Sequence, residues 1–159
     1  MPQIVDCVKA PVIAAGGIAD GRGIVAALAL GAQGVQGVQI GTAFLACAES
    51  GASDLHRAKL FTEDARTTAL SRAFTGRLAR GIRNRFMDEM RAVEADLPPY
   101  PSQGWFMAQL RPAAVAKGGD DLISLQAGQS AALLRHTRAD DLMRSLVADT
   151  EALLNKLGA

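Results

Sequence analysis

The amino-acid sequence predicts an α/β fold in which two buried parallel strands, each running into a helix, lead into an all-helical tail. Two segments carry the first half of that reading: Pro11-Val12-Ile13-Ala14-Ala15-Gly16-Gly17-Ile18-Ala19-Asp20 and Gln39-Ile40-Gly41-Thr42-Ala43-Phe44-Leu45. Each is a short apolar run that ends in glycine and is followed by a helix signal, the pattern of a parallel strand covered on both faces. The second half rests on Leu97-Pro98-Pro99-Tyr100-Pro101, whose prolines stop the helix before them, while the residues beyond read as helical.

Taken in order, Gln3 to Ala10 read as the end of a helix because Ile4, Val5 and Val8 recur at helical spacing, and Pro11 opens the first strand. Asp20 is the expected N-cap of a helix from Gly21 to Leu30, with Ile24, Ala27, Leu28 and Leu30 inward and Gly31 closing it. The second strand falls within Gly34 to Ile40, and Thr42 is expected to cap a short helix from Ala43 to Glu49. Ser53 to Thr68 reads as helical, and Ala69 to Phe74 with the turn Thr75-Gly76-Arg77 as an irregular, extended link. Asn84 to Ala95 forms the helix that the prolines end. Last, Thr137 and Asp140 suggest a capping box for a helix whose apolar face is Leu142, Leu146, Leu153, Leu154 and Leu157.

The chemistry lies where the two strands end. Backbone N–H groups of Gly16, Gly17, Gly41 and Thr42 are placed to face one anion, because glycine lets the chain approach closely and a helix start leaves donors unpaired. In a (β/α)8 barrel the loops after strands seven and eight form the usual phosphate site. Either segment alone also reads as a tight turn or a strand end; the pair points to an anion.

The run Val12 to Gly21, the run Gly34 to Leu45, and the run Arg72-Ala-Phe-Thr-Gly-Arg-Leu-Ala-Arg-Gly-Ile-Arg-Asn-Arg-Phe86 together resemble the C-terminal half of FMN-dependent nitronate monooxygenases, formerly called 2-nitropropane dioxygenases. The first two motifs are shared with the related flavin-dependent enoyl reductases. The resemblance implies an FMN-binding TIM barrel that oxidises alkyl nitronates with O2 to a carbonyl compound and nitrite. It implies Ala15, Gly16, Gly17, Gln39, Ile40, Gly41 and Thr42 as cofactor-binding residues. The family's catalytic base is a histidine in a Gly-Gly-His type segment of the N-terminal half, so the expectation here is no catalytic residue and an inactive isolated chain. Residues 1–52 are expected to supply the last two βα units of the barrel, and 53–159 a helical subdomain packed on them. The partners expected are a nitronate and O2, with either the missing barrel half or another copy of the chain covering the strand edges. The alternatives are a non-catalytic phosphate-binding or interaction module and an enoyl reductase relative.

Two further points follow from the resemblance. Where relatives read Gly-Ala-Gln-Gly-Val-Gln-Ile-Gly-Thr, this chain repeats Gly-Val-Gln, as Gly34-Val35-Gln36 and Gly37-Val38-Gln39. Three extra residues are an odd number, so the upstream half of the strand must flip faces or bulge. The extra triplet is expected in the turn before the strand, and any FMN contact near Gln36 stays open. The segment Gln126-Ala127-Gly128-Gln129 resembles a family motif with tryptophan in place of Gln126, which makes Gln129 and Tyr100 active-site candidates or the segment a plain packing step.

Composition bounds the rest. At 159 residues the chain is shorter than the ~200 to 250 of a full barrel. With 49% hydrophobic, 21% charged and only 4% aromatic residues, it is globular with an aliphatic core. A net charge of +1 gives no general attraction to nucleic acid or acidic membranes. No run approaches a membrane span and no secretory signal opens the sequence, so the expectation is cytoplasmic. Cys7 and Cys47 read as reduced, buried thiols, and no residues have metal-ligand spacing. His56 and His136 read as helix-surface residues. Arg72, Arg77, Arg80, Arg83 and Arg85 read as an ion-paired face, with Arg77 or Arg80 near the flavin or clamping the tail as the alternative.

Overall fold

The computed structural model describes residues 1–31 and 34–158. The elements are α1 (Pro2–Cys7), β1 (Val12–Ala15), α2 (Gly21–Leu30), β2 (Val35–Gln39), α3 (Thr42–Leu45), α4 (Asp54–Leu60), β3 (Thr68–Ser71), β4 (Ala79–Ile82), α5 (Arg85–Met90), α6 (Ser102–Ala116) and α7 (Ala139–Leu157). Short 3-10 turns at Glu63–Arg66, Arg91–Asp96, Asp120–Leu122 and Ala131–Leu133 connect them. Among the described residues no helix is long and apolar enough to cross a membrane.

β1 and β2 pair in parallel, as expected, and α2 makes the connection between them. The register runs Val12↔Val35 and then Ile13↔Gly37, so Gln36 is a surplus residue on β2. The repeated Gly-Val-Gln therefore does not sit wholly in the turn. Gly34 does, but Val35 and Gln36 enter the strand, and a bulge absorbs one residue. One bulged residue leaves an even number of extras, which preserves the in–out alternation downstream. Ala32 and Gln33, part of the turn assigned to the surplus, lie outside the described residues.

Asp20 caps α2 as predicted, its Oδ1 accepting from the Gly23 N–H at 3.2 Å. The buried stripe is Gly21, Val25 and Ala27, whereas Leu30 is 57% exposed. Leu30 follows Leu28 by two residues, a turn of about 200°, so the two cannot face the same neighbour. α7 lies across α2, and a β-carbon at Gly21 would come within 2.6 Å of Asp149 Cβ and 2.7 Å of the Thr150 nitrogen.

The region after α4 is not wholly helical. The segment read as an irregular link holds β3, which pairs antiparallel with β4 from Thr68↔Ile82 to Ser71↔Ala79. Gln126 adds a third rung through a bridge to Gly81. Beneath this sheet lies one core of Ala46, Leu60, Ala65, Ile82, Ile123, Leu125, Ala127 and Ala131. A second joins Ala19, Ala43 and Cys47 to Leu142 and Leu146 of α7.

The start of α7 also differs from expectation. No side chain of Thr137 or Asp140 caps it; instead Glu49 Oε2 accepts from the Ala139 N–H at 3.0 Å, and the Thr137 carbonyl accepts from the Ala48 N–H at 2.8 Å. A carboxylate on the preceding chain satisfies the same orphan donor that the local box would have served. Of the cysteines, Cys47 is buried as expected, but Cys7 is exposed because α1 buries none of its residues.

Alanine at Gly21 would add about 1 kcal/mol of helix propensity. Its β-carbon would meet the α7 backbone at the distances above, and overpacking of that kind costs about 1–3 kcal/mol. Gly21→Ala is thus expected to lower the urea midpoint; an unchanged or raised midpoint would show that α7 moves away from α2 without cost.

Candidate functional site

β1 ends at Ala15 and β2 at Gln39, and these two residues are paired, so Gly16-Gly17 and Ile40-Gly41 leave the same end of the sheet side by side. Gly16 has φ +96° and Gly17 has φ +73°, a left-handed path that only glycine follows cheaply. It turns the chain through Ile18 and Ala19 onto the Asp20 cap. Gly41 differs: its φ of −99° and ψ of −68° suit any residue, and among the described residues a β-carbon there would meet nothing within 4 Å. Neither its conformation nor its packing among the described residues calls for glycine at 41. What glycine leaves there is room.

Around that room the chain offers donors. Among the described residues, no turn, loop or side-chain acceptor takes the N–H of Gly17, Gly41 or Thr42. Gly41 is the N-cap of α3 and Thr42 its first residue, so both amides belong to a helix start, whose donors have no partner within the helix. Ala15, Gly16, Gly17, Gln39 and Gly41 are exposed, and Ile40 and Thr42 half-buried. The Ile40 side chain lines an apolar groove of about 440 Å3 with Ile24, Val38, Phe44 and Val147.

Thr42 does not cap α3 as the sequence suggested. Its Oγ1 instead accepts the Gly128 N–H at 2.8 Å. Gly128 arrives on a well-held segment: the Ile82 N–H donates to the Leu125 carbonyl at 2.8 Å, the Ala127 N–H to the Arg80 carbonyl at 3.2 Å, and His56 Nε2 lies 2.9 Å from the Gln126 carbonyl. The Gln126–Gln129 motif thus reaches the second loop through the Gly128 backbone rather than through the Gln129 side chain. Sequence reasoning missed Gly128, treating it only as a small packing step. Tyr100 lies under Arg77, whose guanidinium carbon is 4.5 Å from the ring centroid.

The arginine run is largely engaged within the tail. Arg83 pairs with Asp88 at 2.7 Å, Arg85 with Glu89 at 3.1 Å, and Arg80 donates to Thr68 Oγ1 at 3.1 Å. Among the described residues no group of three or more His, Cys, Asp or Glu could hold a metal ion. The residues at the strand ends therefore offer backbone N–H groups, one hydroxyl and open space, a donor set that suits the oxygens of a phosphate.

One charge near the loops opposes an anion. The Asp20 carboxylate is offset by Arg22, whose Nε donates to Oδ2 at 2.9 Å. That hydrogen bond, with the cap to Gly23, holds the Asp20 carboxyl below its ordinary range against the opposing effect of burial. A depressed folded-state value stabilises above the unfolded value and is lost as pH falls through the folded one. Asp20→Ala is expected to cost about 1 kcal/mol at neutral pH, as for loss of an N-cap. In paired urea titrations the gap between wild type and variant should close as pH drops below the ordinary carboxylate range; a gap constant with pH would mean the charge contributes nothing.

The family model described as Nitronate monooxygenase matches residues 1–149. A probable nitronate monooxygenase of Staphylococcus aureus strain Newman is 46% identical over 147 residues, which cover 92% of this chain and 41% of that protein. The crystal structure of nitroalkane oxidase from Streptomyces ansochromogenes superposes with a TM-score of 0.88 at 38% identity, covering 98% of this chain and 44% of the other. FabK from Thermotoga maritima superposes with a TM-score of 0.78 at 33% identity, covering 98% and 49%. The chain thus spans less than half the length of each of these proteins.

Proposed function

The chain belongs to the nitronate monooxygenase family, and from that premise we propose that its two glycine loops hold the phosphate of FMN in an enzyme that oxidises alkyl nitronates with O2 to a carbonyl compound and nitrite. The observation that carries the reading is the Ala15↔Gln39 pairing, which sets both loops at one sheet end, together with a Gly41 that nothing among the described residues requires. Bound FMN would supply the redox chemistry through its ring. This chain's part is binding and orientation: the amides of Gly16, Gly17, Gly41 and Thr42 and the Thr42 hydroxyl anchor the phosphate, while Ala15, Gln39 and Ile40 form the strand ends beneath it.

In this reading residues 1–52 are barrel units and 53–159 a subdomain packed on them. Among the described residues β1 and β2 pair only with each other, and Ile13 of β1 is 54% exposed. Parallel strands need cover on both faces and partners at both edges. The remaining strands of a barrel, from an N-terminal segment or another copy of the chain, would provide them. The resemblance of the Val12–Gly21 and Gly34–Leu45 runs to flavin-dependent enoyl reductases keeps that activity as the second reading.

The catalytic base is not among the residues this chain contributes. His56 is bonded to the Gln126 carbonyl, and His136 lies beside Arg135 and Leu134 under α7. The 159-residue chain supplied with FMN should release no nitrite from an alkyl nitronate above the free-flavin background; release above it would place a base here. The loops are tested separately in the complete gene product. Gly17→Val and Gly41→Val should abolish FMN retention after desalting, while Thr42→Ala weakens it, since one hydrogen bond to a charged acceptor is worth about 1.5–3 kcal/mol. Equal flavin content in wild type and both valine variants would make the loops structural turns.

A further inference from the structure

A hydroxyl has one proton to give and two lone pairs to accept with. At Thr42 one lone pair is taken by the Gly128 N–H at 2.8 Å, from a residue 86 positions away. The O–H bond must then point away from Gly128. Gly128 itself has little freedom to follow a moving threonine, since the segment that delivers it is bridged to Gly81 and bonded to Ile82, Arg80 and His56. Contact between the two is close enough that a β-carbon at Gly128 would lie 3.2 Å from Thr42 Oγ1.

We infer that the Gly128 amide is a positioning group for the phosphate site: by holding Thr42 Oγ1 from the tail side, it presents the hydroxyl proton to the phosphate and couples the Leu125–Gly128 segment to phosphate occupancy. The inference rests on the reading that the loops hold the FMN phosphate. It adds a residue that touches no ligand and acts through Thr42. When the Thr42 hydroxyl donates a hydrogen bond to a phosphate oxygen it is polarised, and a polarised hydroxyl is a better acceptor for Gly128. The same bond therefore serves the site and the packing of the tail.

Riboflavin, which has the same ring and no phosphate, separates this role from a merely structural one. In the complete gene product, Gly128→Pro removes the N–H; FMN affinity should fall about tenfold while riboflavin affinity stays unchanged, both read by fluorescence titration. In the wild type, FMN should slow amide hydrogen exchange at Gly128 and riboflavin should not, a readout that stands even if the proline variant fails to fold. A folded Gly128→Pro protein with the wild-type FMN-to-riboflavin ratio, or equal Gly128 exchange in the two complexes, would overturn the positioning role alone. A wild type that binds FMN no better than riboflavin would overturn the phosphate reading of the loops, and the positioning role with it.

Discussion

The short helix α3 and the turn that closes it are wedged between two cores, and the direction of the second glycine loop depends on that wedge. Ala46, 1% exposed, packs beneath the β3–β4 sheet with Leu60, Ile82 and Leu125. Ala43 and Cys47, 2% and 1% exposed, pack on the other side with Ala19 of the first loop and Leu142 and Leu146 of α7. A four-residue helix has little stability of its own. Held between two cores by small side chains, it cannot turn without opening one of them, so the amides of Gly41 and Thr42 at its start keep a fixed heading. Burial also pushes the Cys47 thiol up, which suits a packing residue rather than a reactive one.

The tail is what makes that wedge stiff. Lys59 of α4 bridges Asp64 and Asp120, each at 2.6 Å, and these two partners raise its pKa above the ordinary lysine range. The bridge ties α4 to the 3-10 turn before β3 and to the turn that precedes the Leu125–Gly128 segment. Glu94 fixes the other end of the sheet, accepting from Ser71 Oγ at 2.5 Å and the Arg72 N–H at 2.6 Å, and those bonds lower its pKa. By contrast, pairs such as Arg85–Glu89, both more than half exposed, contribute little in water. The consequence reaches the site through Gly128, where the tail touches Thr42.

Features set by neighbouring residues were legible in the sequence; features set by distant ones were not. The strand ending at Ala15, a second strand within Gly34 to Ile40, the Asp20 cap and the Gly16-Gly17 turn all follow from residues a few positions apart, and the structure has them there. The β3–β4 sheet was not legible, because Thr68–Ser71 and Ala79–Ile82 are four residues each, carry Thr, Arg and Gly, and become strands only by pairing with each other and with Gln126. The capping of α7 failed for the same reason: Glu49, ninety positions from Ala139, supplies the acceptor that Thr137 and Asp140 seemed to offer locally. Gly128 belongs with these. A backbone N–H leaves no mark in the sequence, and its importance comes from meeting Thr42 in space.

A flavin phosphate held at the strand ends of β1 and β2 is what the two loops are proposed to provide. This is tested most directly by a crystal structure of the complete gene product with FMN bound. Phosphate oxygens are expected within about 2.7–3.2 Å of the Gly17, Gly41 and Thr42 nitrogens and of Thr42 Oγ1, with the Gly128 N–H still on that hydroxyl. A flavin phosphate seated elsewhere, with the space over Gly41 filled by another part of the polypeptide, would contradict it.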